Sequence, residues 1–121
     1  KMKKKNFLTK VVFSVAGKAV QNKIFKANSL NPGVGGTEFV TIILAFALAK
    51  EREDYEVYLW SEVTLKLQNP PKNLKQILIK EAPFPDSKLF NSADTIFVCS
   101  DGINEGIVYA TCIVTGYVFT C

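Results

Sequence analysis

Apolar side chains fall into a few well-separated runs along this chain, and their spacing predicts its elements. Lys10-Val11-Val12-Phe13-Ser14-Val15-Ala16 is almost continuously apolar, as in a strand buried on both faces, and Gly17 ends it. Residues 18–29 carry Ala19, Val20, Ile24, Phe25 and Ala27, a weak helical pattern equally compatible with a loop holding one helical turn. Asn31-Pro32-Gly33-Val34-Gly35-Gly36 is turn chemistry throughout. A helix is predicted from Thr37 to Arg52. Phe39, Ile42, Ile43 and Phe46 form one apolar stripe, Val40, Leu44, Ala47 and Leu48 a second, and Glu38, Thr41, Ala45 and Ala49 a narrower polar or small face. A helix so apolar is expected to pack deeply, between a sheet and a neighbouring layer. Thr37 is its expected N-cap, with Glu38 favourable in the first turn and Lys50 and Arg52 near the C-terminus.

Strands follow at Tyr55–Trp60, Leu74–Ile79 and Thr95–Cys99, separated by Asn69-Pro70-Pro71 and by a loop bracketed by Pro83 and Pro85, with a helical turn at Ser87–Asn91. Strand, glycine loop, buried helix and strand is the rhythm of an α/β fold. A Rossmann-like, mostly parallel sheet with flanking helices is therefore expected over residues 10–106. Residues 1–9 read as a basic extension. Residues 107–121, rich in β-branched and aromatic side chains, read as a strand-forming tail with a turn near Thr115-Gly116.

Composition narrows the chemistry. At 121 residues, 48% hydrophobic and 21% charged, the chain is sized and composed for one folded domain. The absence of histidine excludes His-based nucleophile activation, a His general base and His-ligated metal within this chain. Three cysteines, Cys99, Cys112 and Cys121, form no C-x-x-C pair, so neither a disulfide framework nor a thiolate zinc site is expected. No metal and no cofactor is assigned.

Charge is unevenly spread. Every ionisable side chain before Glu38 is a lysine, whereas acids outnumber bases from Glu38 onward. Such asymmetry suits phosphates or an anionic membrane surface, although a solvated lysine tail gives the same pattern. Nucleic acid is not an expected partner, because the single arginine, Arg52, is poor equipment for reading bases. The lysine-plus-apolar start loosely imitates a signal peptide, but Lys10 interrupts the apolar stretch, so a cytoplasmic protein, with membrane association as a variant, is expected.

The segment that carries candidate chemistry is Gly33-Val34-Gly35-Gly36-Thr37-Glu38. Glycines immediately before a helix leave its first main-chain amides open, and those amides attract phosphate. The segment is neither a P-loop, since no lysine follows the glycines, nor a G-x-G-x-x-G fingerprint, since Glu38 stands where the third glycine belongs. A tight turn whose glycines serve packing alone is the plain alternative.

This glycine segment, the helix ending Leu48-Ala49-Lys50-Glu51 and the strand Tyr55-Glu56-Val57-Tyr58-Leu59 resemble the N-terminal domain of GT4-type glycosyltransferases. Ser92-Ala93-Asp94-Thr95-Ile96-Phe97-Val98-Cys99-Ser100 resembles a later segment of the same domain, so the resemblance spans roughly residues 10–105. It implies one half of a GT-B fold: the acceptor-side domain of an enzyme moving a sugar from a nucleotide-diphosphate sugar to an acceptor. Gly35, Gly36, Thr37 and Glu38 match the family's substrate-binding helix start. The family's donor-binding domain is not in this sequence, its N-terminal histidine has no counterpart, and the ending from Ile107 does not resemble it. Activity is accordingly expected only in a full-length enzyme, with nucleotide sugar and acceptor as partners, and no catalytic residue is assigned. The rival expectation is a non-enzymatic α/β binding module with a structural glycine loop. Ser100, Asp101 and Asn104, and also Trp60 and Glu62, follow or end strands where a crevice would lie, although capping or turn roles are favoured for the first three and core packing for Trp60.

Overall fold

The computed structural model describes residues 9–15, 17–84, 86–90 and 95–98, with the backbone of residues 118–119. Among the described residues, seven strands and one α-helix run in the order β1 (Thr9–Val15), β2 (Ile24–Phe25), α1 (Gly36–Glu51), β3 (Tyr55–Ser61), β4 (Lys66–Leu67), β5 (Leu74–Leu78), β6 (Thr95–Val98) and β7 (Val118–Phe119). The main sheet has the order β5-β3-β1-β6-β7, and every described pair in it is parallel. This is the expected α/β, Rossmann-like arrangement. The four longer strands lie within one residue of the predicted bounds, Ala16 and Cys99 falling outside the described residues. β7 aside, so does the tail with its expected turn at Thr115-Gly116.

Two apolar clusters lie on the two faces of the sheet, as the pleat requires. Val11, Phe13 and Val15 of β1 and Val57 and Leu59 of β3 meet Ile42, Ala45, Phe46 and Ala49 of α1. Alternate residues, Val12, Trp60 and Phe97, meet Ala82, Leu89 and Phe90 on the other face. That second face is covered by two short 3₁₀ turns, Ile79–Glu81 and Lys88–Phe90, with prolines between them that disfavour a longer helix.

α1 corrects the sequence reading in two respects. The packed face joins two of the expected ones: Ile42 and Phe46 of the first stripe and Thr41, Ala45 and Ala49 of the small face are buried, while Val40 and Leu44 of the second stripe remain 52% and 47% exposed. Small side chains win because they let the helix axis approach the strands closely. Apolar residues all round the helix left its periodicity without a preferred direction. Among the described residues, no second layer covers Val40 and Leu44. Residues 18–29 likewise form turns and a two-residue strand, β2, which pairs in parallel with β4. A strand that short carries no period to read.

Asn73 joins these parts. Its side-chain Nδ2 donates to the carbonyls of Ala49 at 2.9 Å, Arg52 at 3.0 Å and Tyr55 at 2.9 Å, tying the end of α1 to the beginning of β3. Its own carbonyl accepts from Val57 N at 2.9 Å.

On β3, half-buried Tyr58 has its phenol pushed up from 10.0 to about 12, chiefly by burial and then by the charge of Glu56 and a hydrogen bond to it. A raised phenol stabilises the fold in full below its unfolded value, and that stabilisation is lost as pH climbs through the folded value. Stability should therefore decline between about pH 10 and 12. In a near-ultraviolet phenolate titration one tyrosine should ionise late, and that late step should vanish in Tyr58→Phe.

Candidate functional site

The site begins where β1 stops. Gly17 adopts φ +96°, a left-handed turn that an L side chain resists, and its N–H donates to Glu62 Oε1 at 3.0 Å. Glu62 follows β3 directly, so this bond ties together the C-terminal ends of two neighbouring central strands. β1 is also where the sheet reverses its order: the chain passes from it to β3 and β5 on one side, then returns to β6 on the other. Open α/β sheets take their ligands outside strand ends at such a point.

The connection from Gly17 to Gly35 is held down by side chains it sends inward, with Val20, Phe25 and Val34 all buried. Its last turn is locked by Asn31, whose Oδ1 accepts from Gly33 N at 2.9 Å and Val34 N at 2.8 Å while Nδ2 donates to Val34 O at 2.9 Å. Gly33 has φ +101°, and the Lys23 ammonium lies 3.9 Å from where a Cβ on it would stand. A cation therefore sits beside the glycine turn.

α1 starts one residue earlier than expected. Gly35 is its N-cap, with φ −59° and ψ 148°, and no side chain caps it. Thr37 thus lies inside the first turn and is not the N-cap; its side chain is outside the described residues. Gly35 holds the non-helical φ and ψ of a cap, and glycine is itself an accepted N-cap, so the helix opens before the threonine. The first amide with a helical partner is that of Phe39, donating to Gly35 O at 3.0 Å, so the helix itself uses none of the amides before it.

The two glycines differ. Both are exposed, and nothing stands within 4 Å of the place a Cβ on Gly36 would take. At Gly35 the carboxylate of half-buried Glu38 folds back over the backbone, with Oε1 in the space a Cβ would need. Its Oε2 also lies 3.7 Å from the corresponding position on Gly17. An internal carboxylate at a helix N-terminus is electrostatically favourable, and it sits where an incoming anion would approach. The chain matches no protein-family model, no curated protein and no solved structure.

Of the candidate residues, Gly35, Gly36 and Glu38 come together at the start of α1, and the Thr37 backbone lies among them. Trp60 is only 1% exposed and belongs to the core, not the crevice. Ser100, Asp101 and Asn104 lie outside the described residues. Lys23, Asn31 and the Gly17–Glu62 tie were not singled out as a group. Asn31 two residues before a glycine was a readable turn signal, whereas a contact between residues 17 and 62 leaves no local trace.

Proposed function

We propose that this chain is the acceptor-side domain of a glycosyltransferase that takes a sugar from a nucleotide-diphosphate donor, with the start of α1 meeting the donor's phosphates. What supports the reading is one placement: an exposed Gly36 in the first turn of α1, with open space where a Cβ would stand, near the strand end where the sheet reverses its order, and with Lys23 beside the preceding turn at Gly33. A leaving diphosphate accumulates negative charge, and fixed amide dipoles with a nearby ammonium stabilise it without reorganising. Glu38 has two consequences under this reading. It stabilises α1 while the site is empty, and it opposes the anion when one arrives. Opposition between two charges about 4 Å apart in water-like surroundings is worth about 1 kcal/mol, roughly fivefold in affinity.

The experiment is an NMR titration of the amide resonances with inorganic pyrophosphate. Shifts should concentrate at Gly35, Gly36 and Thr37, and Glu38→Gln should tighten the apparent Kd roughly fivefold. Unmoved resonances at those residues in a folded chain would sink the phosphate role. Isotope-labelled sugar transfer by the chain alone is expected to stay at background. A second reading, a non-enzymatic α/β binding module with a structural glycine loop, is favoured by the Glu38 carboxylate lying over Gly35 and by the Asn31 lock. It predicts that Glu38→Gln leaves pyrophosphate without effect.

A further inference from the structure

The outer side of α1 has an order of its own. With 3.6 residues per turn, Gly36, Val40, Ile43, Leu44, Ala47 and Glu51 fall within an arc of about 100°, opposite the buried Ala45 and Ala49. Val40, Leu44, Ala47, Gly36 and Glu51 are exposed and Ile43 is half-buried. No ionisable side chain occurs between Glu38 and Lys50, so the middle of this stripe is apolar and uncharged. Its ends differ. Gly36, at the positive end of the helix dipole, leaves open space where a Cβ would stand. Glu51 sets a carboxylate at the negative end, where its own helix disfavours it.

We infer that α1 pairs antiparallel with α1 of a second copy of the chain, about a two-fold axis passing between Ile43 and Leu44. That axis sets Gly36 opposite the partner's Glu51, Val40 opposite the partner's Ala47 and Ile43 opposite the partner's Leu44, each contact occurring twice. Large side chains thereby meet small ones, and the two helices can approach closely. Each carboxylate exchanges the negative end of its own helix for the positive end of its neighbour's, over the open Gly36. This complementarity of the stripe with itself selects a second copy. An anionic surface would be repelled by Glu51, and a wholly apolar one would bury its carboxylate without a counter-charge. One helix face buries less than the roughly 800 Å² per partner of a standard interface, so the pair is expected to be weak, with Kd on the order of 100 μM. The inference does not rest on sugar transfer. Where Gly36 also meets a phosphate, the pair and the anion exclude one another.

Sedimentation equilibrium of the full chain from about 10 μM to about 1 mM, bracketing that Kd, tests it. The average mass should climb toward twice the monomer's and level off, as closed two-fold pairing requires. Leu44→Lys should keep the chain monomeric throughout with its far-ultraviolet circular dichroism unchanged. Glu51→Gln should weaken pairing roughly fivefold, since two carboxylate–dipole contacts are lost. Concentration-dependent amide shifts should follow Val40, Leu44 and Ala47 and spare β6. A chain that stays monomeric at the highest concentration, or grows past the dimer, overturns the inference. So does either variant if it associates like the parent.

Discussion

Trp60→Ala should cost about 3–5 kcal/mol, enough to leave a domain of ordinary stability largely or partly unfolded. The indole is fully enclosed on the face of the sheet away from α1. It meets Phe90 edge-on at 5.2 Å and Phe97 at 5.5 Å, and Phe90 in turn meets Phe84 at 5.0 Å and Phe97 at 5.6 Å. Its Nε1 donates to Ala82 O at 2.9 Å, which pins the segment after β5 onto the sheet. Truncation removes the largest member of this herringbone and strips a buried carbonyl of its donor. Trp60→Phe keeps much of the volume but not the donor, and should cost about 1–3 kcal/mol. Urea unfolding followed by circular dichroism measures both; a loss below about 1 kcal/mol for the alanine variant would show that this face is not close-packed.

Asn73→Asp is the second large expectation, and the more diagnostic one. The amide group serves three carbonyls through two hydrogens, so the introduced carboxylate would face three oxygens with nothing to donate. At neutral pH a loss of about 3–5 kcal/mol is expected, as for a buried charge without a partner, against about 1–3 kcal/mol for Asn73→Ala. Such a carboxyl would have its folded pKa raised. Its stability would therefore be fullest below the unfolded value near 4 and would fall as pH rises through the folded one. Thermal melts at pH 3.5 and 7 should thus separate the two substitutions, with only the aspartate variant recovering in acid. Parallel behaviour of both would mean that Asn73 is a spacer and not a tie.

The parallel sheet was legible because its strands are continuous apolar runs, the mark of burial on both faces, and the glycine loop because positive φ and helix starts demand particular residues. The inward face of α1 was not. With Val40, Leu44, Ile42 and Phe46 all apolar, hydrophobicity pointed everywhere, and the decision fell to the small volumes of Ala45 and Ala49 at the closest approach. Thr37 looked like an N-cap by residue type, yet glycine is also an accepted N-cap, and Gly35 takes that place. Once the helix begins at Gly36, Glu38 becomes its third residue, from which a side chain can reach back over Gly35. Asn73 and Glu62 act across 24 and 45 residues respectively, and no local pattern announces such partners.

The alanines at 45 and 49 also set a mechanical tolerance. α1 is a stiff rod whose seat on the strands combines the two methyl groups with Ile42 and Phe46, and its amide-bearing end is a lever arm fixed to that seat. Any side chain longer by a few methylenes at either position would lift the rod bodily, carrying Gly36 away from the mouth of β1 without touching a single residue of the loop.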